Sequence, residues 1–392
     1  MQETMLSTKT FEDFLLTRNE PQWLKDYRKT NFEAFTAAKL PQSMYTNLLA
    51  IEKQLEIAKE NANISFSCSH ELKTQGIIVE DFETALKLHE SQLRNFLEKE
   101  TIHHDKFELF SNAFFTQGFF IFTPRNIQKK EIIEISINPK NKSITKGIIA
   151  LEETANLAIL EKTNAMHSNE LNSIALSIFL GQATNLDYYN FAELGDNLTH
   201  ISSKRIFQAR DSKLNSFYAW FGGKQVISKV KNHLQGQGAE LLHSELATGQ
   251  QKERYDFNSD IFHEVPETTG KITFKAVLDD FSSSIFDGMI KIFEKAQVTN
   301  SFLEAHSILL SKNASSNNIP GLEIEANDVK ATHSASVHKI DEEQLFYLNS
   351  RGINQREAQK IIVQSFFEAL TNRISQENLR EIFNNKIEEK YK

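Results

Sequence analysis

The stretch 20–39 has hydrophobic residues at helical spacing. Tyr27, Phe32 and Phe35 recur at steps of three to five residues, and charged residues such as Arg28 stand between them. Apolar residues at this spacing share one face of an amphipathic helix. The pattern therefore predicts a helical N-terminal region, with Arg28 on its polar side.

From about residue 118 to about residue 336, apolar and polar residues alternate instead. Successive stretches of this kind start roughly every 10–15 residues, with almost no helical pattern between them. This spacing excludes a βαβ sheet and leaves a sandwich, a barrel or a parallel β-helix. The clearest predicted strands are 131–137, 186–190, 226–232, 240–246 and 272–278.

The last part of the chain returns to helical spacing. Asp341 and Gln344 fit a capping box, and Gly352 supplies the residue that ends the first helix. Asn354 predicts the start of a second helix. Its predicted apolar stripe consists of Ala358, Ile361, Ile362, Phe366, Ala369 and Ile374.

Composition limits the classes of protein that remain. The chain has 392 residues, a formal charge of −8 and one cysteine. The acidic balance argues against a nucleic-acid or anionic-membrane binder. A single cysteine excludes a disulfide framework and a self-sufficient cysteine-ligated metal site. The acidic N-terminus does not fit a signal peptide, and no apolar run is long enough to span a bilayer. We therefore expect a cytoplasmic protein of several domains.

Histidines and glycines give no catalytic motif by spacing alone. His103 and His104 are adjacent, and His333 and His338 are five apart, so neither pair has a metal-ligand spacing. The glycine-rich spots 222–224 and 236–239 do not fit a phosphate-binding loop. They predict turns between strands, and the chain is not expected to be an ATPase.

The paired acids and the single thiol do not define a catalytic site either. Asp279 and Asp280 could contribute to a groove of a β-helix enzyme that acts on carbohydrates, but their context favours a turn. Cys68 lies in the Ser- and Asn-rich stretch 61–76, which predicts a loop. No base or basic cluster is adjacent to this thiol, so we expect it to be unreactive.

A series of motifs in the second half of the chain resembles one known family. In chain order these motifs are His263-x-x-Pro266-x-Thr268, Lys275-Ala276-Val277-Leu278-Asp279-Asp280, Ile285-Phe286-Asp287-Gly288-Met289-Ile290, Pro320-Gly321-Leu322-Glu323-Ile324, Lys330-Ala331-Thr332-His333-Ser334-Ala335 and Phe346-Tyr347-Leu348-x-Ser350-Arg351-Gly352. They resemble the SufB/SufD family of iron–sulfur cluster assembly proteins. Glu20-Pro21-x-Trp23-Leu24, near the N-terminus, resembles the SufD type.

The resemblance implies a mainly β fold with flanking helices. The family has a right-handed parallel β-helix between helical N- and C-terminal domains. Placed on this sequence, those domains are residues 1–115, 116–337 and 338–392. The resemblance thus selects the parallel β-helix from the alternatives that periodicity left open.

The resemblance also implies a function. SufD-type proteins are non-catalytic subunits that pair with SufB and dock SufC, an ABC-type ATPase, and the complex builds an iron–sulfur cluster. For this chain it implies no stably bound cofactor, a cluster held transiently at the partner interface, and ATP on the partner. An isolated chain can form a homodimer. Nucleic acid and membranes are not expected partners.

The resemblance also implies roles for individual residues. His333 matches the interface histidine of the family, and it would bind iron transiently or orient a ligand from SufB. Ala331 stands where the family often has cysteine, and Ser334 stands where it usually has glycine. This leaves no soft ligand beside His333 and favours the SufD type over SufB. The residues expected to help dock the ATPase are Phe346, Tyr347, Arg351, Gly352, Ile361 and Phe366.

Two other functions stay open on the sequence. One is a free-standing β-helix interaction scaffold with no role in cluster assembly. The other is a carbohydrate-active enzyme built on a β-helix.

Overall fold

Two nine-stranded β-sheets form the centre of the molecule, with helices before and after them. The computed structural model describes residues 6–40, 46–58, 61–100, 105–139, 141–168 and 170–391. The helices within these ranges are α1 (Thr8–Leu16), α2 (Gln22–Ala37), α3 (Leu48–Glu52), α4 (His70–Thr74), α5 (Phe82–Leu88), α6 (Glu90–Glu98), α7 (Lys106–Phe114), α8 (Glu342–Ser350), α9 (Gln355–Thr371) and α10 (Glu377–Lys390).

The strands follow one another with short connections. They are β1 (Asn63–Ser67), β2 (Ile78–Asp81), β3 (Gln117–Thr123), β4 (Gln128–Asn138), β5 (Ser143–Leu151), β6 (Asn156–Ala165), β7 (Leu171–Leu180), β8 (Asn185–Leu194), β9 (Thr199–Gln208), β10 (Lys213–Gly222), β11 (Gln225–Leu234), β12 (Glu240–Gly249), β13 (Arg254–His263), β14 (Thr269–Leu278), β15 (Ser283–Ile292), β16 (Thr299–Leu309), β17 (Ser315–Ile324) and β18 (Val329–Lys339).

Consecutive strands from β3 onward alternate between the two sheets, which makes a parallel β-helix of about eight turns. Sheet A contains β4 and every second strand to β18, and sheet B contains β3 and every second strand to β17. Neighbours within each series are parallel, as in β8, β10 and β12. The parallel β-helix that the resemblance implied is therefore confirmed.

At the corner where the chain passes from sheet B to sheet A, six turns use a non-glycine residue in the left-handed region of φ. These residues have φ between 54° and 65°. Such a backbone reverses the chain within a few residues, and the turn N–H bonds to the next coil, as in Thr154 N to Gln182 O at 2.8 Å. They are Asn126, Thr154, Ala183, Asp211, Glu267 and Val298.

The glycine-rich spots and the paired aspartates are turns, as predicted. Gly222 and Gly223 lie between β10 and β11 with φ of 81° and 96°, and Gly238 lies between β11 and β12 with φ of 74°. Asp280 lies between β14 and β15 with φ of 52°. All of them close turns of the β-helix.

The first coil of the β-helix is covered by two antiparallel strands. β1 pairs with β4, and β2 pairs with β3. Ile64 and Phe66 of β1 pack against the interior core. The loop predicted for residues 61–76 is therefore wrong, because this stretch contains β1 and α4. The apolar residues of β1 are few, but Ile64 and Phe66 alternate with polar residues and both face the interior.

The N-terminal helices pack on the outer face of sheet B. Their apolar residues share one core cluster with outward-facing residues of β3, β5, β7 and β9. Two buried ion pairs join the layers: Lys146 to Glu100 and Arg205 to Glu108, each at 2.7 Å. Arg28 is fully buried, bonded to Glu20 and to the carbonyl of Ala113, so its predicted place on the polar side is wrong.

The C-terminal helices pack on the outer face of sheet A. Asp341 and Asn354 cap α8 and α9 as predicted, and Gly352 has a φ of 87°. The predicted stripe of α9 is only partly its buried face: Ala358 and Ile374 are buried, whereas Ile361 and Ala369 are exposed. The residues of α9 and its end that pack on the sheet are Ala358, Val363, Phe367, Leu370 and Ile374. None of the helices in the described ranges is long and apolar enough to cross a membrane.

Candidate functional site

The last coil of the β-helix has an uncovered end. In the part of the chain that the structure describes, β18 is the terminal strand of sheet A and β17 is the terminal strand of sheet B. Each pairs with the preceding strand of its own sheet on one side. We call this end, formed by β17 and β18, the open end.

Backbone groups along β18 point away from the β-helix. Ile340 N donates to Leu309 O at 3.1 Å, so even-numbered residues of β18 direct their N–H and C=O groups to β16. Odd-numbered residues, including Ala331, His333 and Ala335, direct both groups outward. An edge of this kind is a template for another strand.

His333 lies on the interior face of the last coil. It pairs in register with Leu303, which is fully buried in the interior core. Its own side chain is exposed, because no further coil covers it. Ala331 and Ala335 lie on the same face two residues away, and Val337 lies beyond them with 40% of its surface exposed. The open end thus presents one imidazole among small and apolar side chains.

The second edge, β17, is interrupted by a proline. Ser315 N donates to Ser282 O and Glu325 N donates to Ile292 O, so the backbone groups of even-numbered residues of β17, including Pro320, face outward. A proline in a strand is tolerated where its missing N–H faces away from the ladder. The side chain of Asn318 joins the two last strands, because its Nδ2 donates to Ser336 O at 3.1 Å. A proline within a strand pattern is the sequence signal that could have located this edge.

The other histidines of this region belong to a different face. His338 has opposite parity to His333 and lines a cleft outside sheet A. His306 also lies outside, with Nδ1 2.7 Å from Ser336 Oγ. The pair His103 and His104 lies outside the described residues. Within the described ranges, no group of three or more His, Cys, Asp or Glu side chains is placed to hold a metal ion.

The thiol is remote from His333. Cys68 follows β1 at the covered end, eight strand spacings from β18, which is roughly 40 Å. Burial raises the pKa of the Cys68 thiol. Its position and its raised pKa both agree with an unreactive side chain.

A cleft of about 660 Å³ lies where α8 and α9 meet the outer face of the last strands. Of the predicted docking residues, Tyr347, Ile361 and Phe366 line it, and Asp341 and Glu343 contribute acids. The Tyr347 side chain is 57% exposed, whereas Phe366 is partly buried.

The remaining predicted docking residues lie beside the cleft. Phe346 is 75% exposed, and Arg351 and Gly352 are exposed at the end of α8. The guanidinium of Arg351 lies 5.3 Å from the ring centre of Tyr347. Lys275 appears in the sequence only as part of a motif, and its contact was not predicted: its Nζ donates to Phe366 O at 2.6 Å and fixes α9 on sheet A.

The fold defines a parallel β-helix protein with one covered end and one open end. Residues 135–366 match the family model described as SUF system FeS cluster assembly, SufBD core domain. The match covers more than half of the 392 residues, so the chain belongs to the SufB/SufD family of iron–sulfur cluster assembly proteins.

Individual relatives agree with this family. The chain is 25% identical to the iron–sulfur cluster assembly protein SufD of Bacillus subtilis, over 97% of this chain and 91% of that protein. It is 25% identical to an iron–sulfur cluster assembly SufBD family protein of Staphylococcus epidermidis, over 86% and 73%. It is 24% identical to SufB of Bacillus subtilis, over 88% and 75%. The match to SufD spans nearly the full length of both chains.

Proposed function

We propose that this chain is a non-catalytic, SufD-type subunit of a cytoplasmic iron–sulfur cluster assembly complex. Its open end binds a SufB-like scaffold, and its C-terminal helices dock a SufC-like ABC ATPase, which binds and hydrolyses ATP. The cluster is the cargo of the complex and forms at the contact with the scaffold. The observation that carries this proposal is the open end on which His333 lies.

Exposed apolar surface at the open end supports a partner there. Val337 and Ile324 lie on the interior faces of β18 and β17, and they are 40% and 43% exposed. Burying such side chains stabilises by about 25 cal/mol per Å² of apolar surface. A partner that ends in a similar coil would cover these side chains and pair with the outward backbone groups at the same time.

His333 is the residue of this chain that we assign to the cargo. An imidazole nitrogen binds iron, or holds a ligand of a neighbouring protein by a hydrogen bond. The small side chains of Ala331 and Ala335 leave space beside the ring for groups from the scaffold. Sulfur ligands would then come from the scaffold, because the thiol of this chain lies near the other end.

The C-terminal cleft supports docking of a second protein. Phe346 and Tyr347 are large, exposed and adjacent on α8, and Ile361 adds a third apolar side chain from α9. Aromatic residues of this kind are enriched in protein–protein interfaces. α8 follows β18 directly in the chain, so the two proposed contacts are neighbours.

The proposal is tested by co-expressing the chain with a SufB-like and a SufC-like protein. We expect both to co-purify with it, and we expect cluster formation on the purified complex to fall about tenfold or more with His333→Ala. His306→Ala is the matched control, because it removes an imidazole from the neighbouring strand β16 on the outer face and does not line the C-terminal cleft. This control should keep both the complex and the cluster yield.

Co-purification and cluster yield test different parts of the proposal. Failure of the SufB-like protein to co-purify would contradict the proposed interface. An unchanged cluster yield with His333→Ala, in an intact complex, would contradict the role of the imidazole and leave the interface standing.

A homodimer of the isolated chain is a second candidate that the open end supports. Two copies can meet by their open ends, since each presents the same outward backbone groups. That contact and the contact with a SufB-like scaffold use one surface, so they exclude each other.

A further inference from the structure

The interior of the β-helix contains a group of buried polar and charged side chains in its middle part. The polar side chains of the middle part are each at most 2% exposed. We call them the interior polar site. They are Glu161, Tyr188, Asn190, Lys204, Tyr218, Trp220, His243, Glu245 and Ser259.

Lys204 is the cation at the centre of this site. Its Nζ lies 2.8 Å from Glu161 Oε1, 2.7 Å from the hydroxyl of Tyr188 and 2.8 Å from Asn190 Oδ1. It also lies 5.0 Å from the ring centre of Tyr218. Lys204 comes from sheet B and its partners come from sheet A, so the ammonium bridges the two sheets.

Glu245 is a second buried carboxylate, one coil further along. Its Oε1 accepts from Trp220 Nε1 at 2.8 Å, and its Oε2 accepts from Ser259 Oγ at 2.9 Å. His243 Nε2 lies 3.6 Å from Oε2 of Glu245, which is too long for a hydrogen bond. Nδ1 of the same ring is 2.8 Å from Ser216 Oγ.

Three polar atoms of the site have no hydrogen-bond partner among the described residues. They are Asn190 Nδ2, the hydroxyl of Tyr218 and His243 Nε2. Asn190 and Tyr218 are neighbours in register on β8 and β10, and the rings of Tyr218 and His243 are 4.8 Å apart. Tyr218 on β10 therefore stands between Asn190 on β8 and His243 on β12.

We propose that ordered water molecules bind in the interior polar site, between Asn190, Tyr218 and His243. Leaving buried polar groups unpaired is unfavourable, and water supplies both donors and acceptors to them. Lys204 disfavours a metal cation at this place, and Glu161 and Glu245 disfavour an anion. A neutral ligand that both donates and accepts satisfies the site. The 3.6 Å separation of His243 and Glu245 also suits a bridging water.

Aromatic side chains close the site toward the open end. The rings of Phe257 and Phe274 are 5.5 Å apart, and those of Phe274 and Phe286 are stacked at 4.5 Å. Ile272 and Ile290, both fully buried, complete this layer. These apolar side chains lie between the interior polar site and His333. This inference is independent of the proposed function.

A crystal structure of the full chain at about 1.5 Å tests the proposal directly. We expect ordered density within hydrogen-bond distance of the Tyr218 hydroxyl and His243 Nε2. A second test compares the melting temperatures of Tyr218→Phe and Tyr255→Phe. The hydroxyl of Tyr255 is the matched control, because it is paired within the chain to Gly222 O, Thr248 O and Glu253 Oε2.

Both variants should lower the melting temperature if water pairs with Tyr218. We expect a loss of about 1–2 °C for Tyr218→Phe and a larger loss for Tyr255→Phe. A dry site gives the opposite sign, because Tyr218→Phe then removes an unpaired hydroxyl and raises the melting temperature. The proposal would be overturned by a melting temperature of Tyr218→Phe equal to or above that of the wild type. It would also be overturned by a crystal structure without ordered density in the interior polar site.

Discussion

The two ends of the β-helix are built differently. At the first coil, β1 and β2 run antiparallel to β4 and β3 and cover the interior. At the last coil, β17 and β18 keep free edges, and interior positions such as Val337 are exposed. Both ends face the same physical problem, since a stack of coils leaves its last apolar face uncovered. The chain covers one end itself, and we infer that it leaves the other to a partner.

The largest effect is expected from one substitution placed at each end. Ile137 of β4 is fully buried at the covered end, so Ile137→Asp should lower the stability of the isolated chain by about 4 kcal/mol or more. Val337 of β18 is on the interior face of the open end, so Val337→Asp should cost less than about 1 kcal/mol. Urea denaturation of both variants measures the difference.

We expect the opposite order for assembly, which Val337→Asp should weaken more than Ile137→Asp does. Val337→Asp places a charge in the proposed contact, so a pull-down should lose the SufB-like partner, and an isolated homodimer should become monomeric. Light scattering after gel filtration measures the latter. Thr332→Asp is the control, since Thr332 is exposed on β18 and lies on its outer face. Equal loss of stability for the Ile137 and Val337 variants would contradict the contrast between the ends.

The sequence predicted the open end less well than the body of the β-helix. Alternation located β4, β8, β11, β12 and β14, because each coil repeats the same inward and outward positions. Periodicity alone could not distinguish stacked coils from a sandwich, since both give short alternating strands. The resemblance to a family supplied that choice, and the register of the strands confirmed it.

Residues whose environment depends on distant contacts were the ones misjudged. Arg28 resembles a surface residue in sequence, but Glu20 and the carbonyl of Ala113 pair with it in the core. The predicted stripe of α9 is wrong at Ile361, because Ile361 and Phe367 both fit helical spacing and only the contact with sheet A decides that Phe367 is the buried one. His333 was located by its motif, whereas its position on an interior face follows from the register with Leu303.

The pairing of β13 with β15 in sheet B is interrupted at Asp260, two strands from the open end. Asp260 Oδ1 accepts from Met289 N at 3.1 Å and from Asn258 Nδ2 at 3.0 Å. The pKa of Asp260 is raised to about 6, mainly by burial; Lys231 opposes this rise and Asp287 contributes to it. The folded chain therefore binds this proton more tightly than the unfolded chain does.

The sign of the pH dependence follows from this raised pKa. Stability from Asp260 is fully present below pH 3.8, the ordinary value, and is lost as the pH rises to about 6. Asp260→Asn keeps the acceptor without the charge, so it should be about 2–3 kcal/mol more stable than the wild type at pH 7.5. The difference should shrink toward zero near pH 3.5. Urea midpoints at the two pH values measure it, and a difference that is the same at both would contradict the assignment.

The smallest effect compares two turns, one near each end. Val298 and Thr154 are β-branched residues with φ of 59° and 60°, a conformation that strains such side chains. Val298 is 58% exposed and loses little packing on truncation, so Val298→Gly should stabilise the chain by about 0.5–1 kcal/mol after the entropic cost of glycine. Thr154 Oγ1 bonds to Asn126 Oδ1 at 2.6 Å and to Glu153 O at 2.7 Å, so Thr154→Gly loses those bonds and should gain nothing. Urea denaturation separates the two outcomes. A gain for Thr154→Gly that matched the gain for Val298→Gly would show that the turn near the covered end is held by its backbone alone.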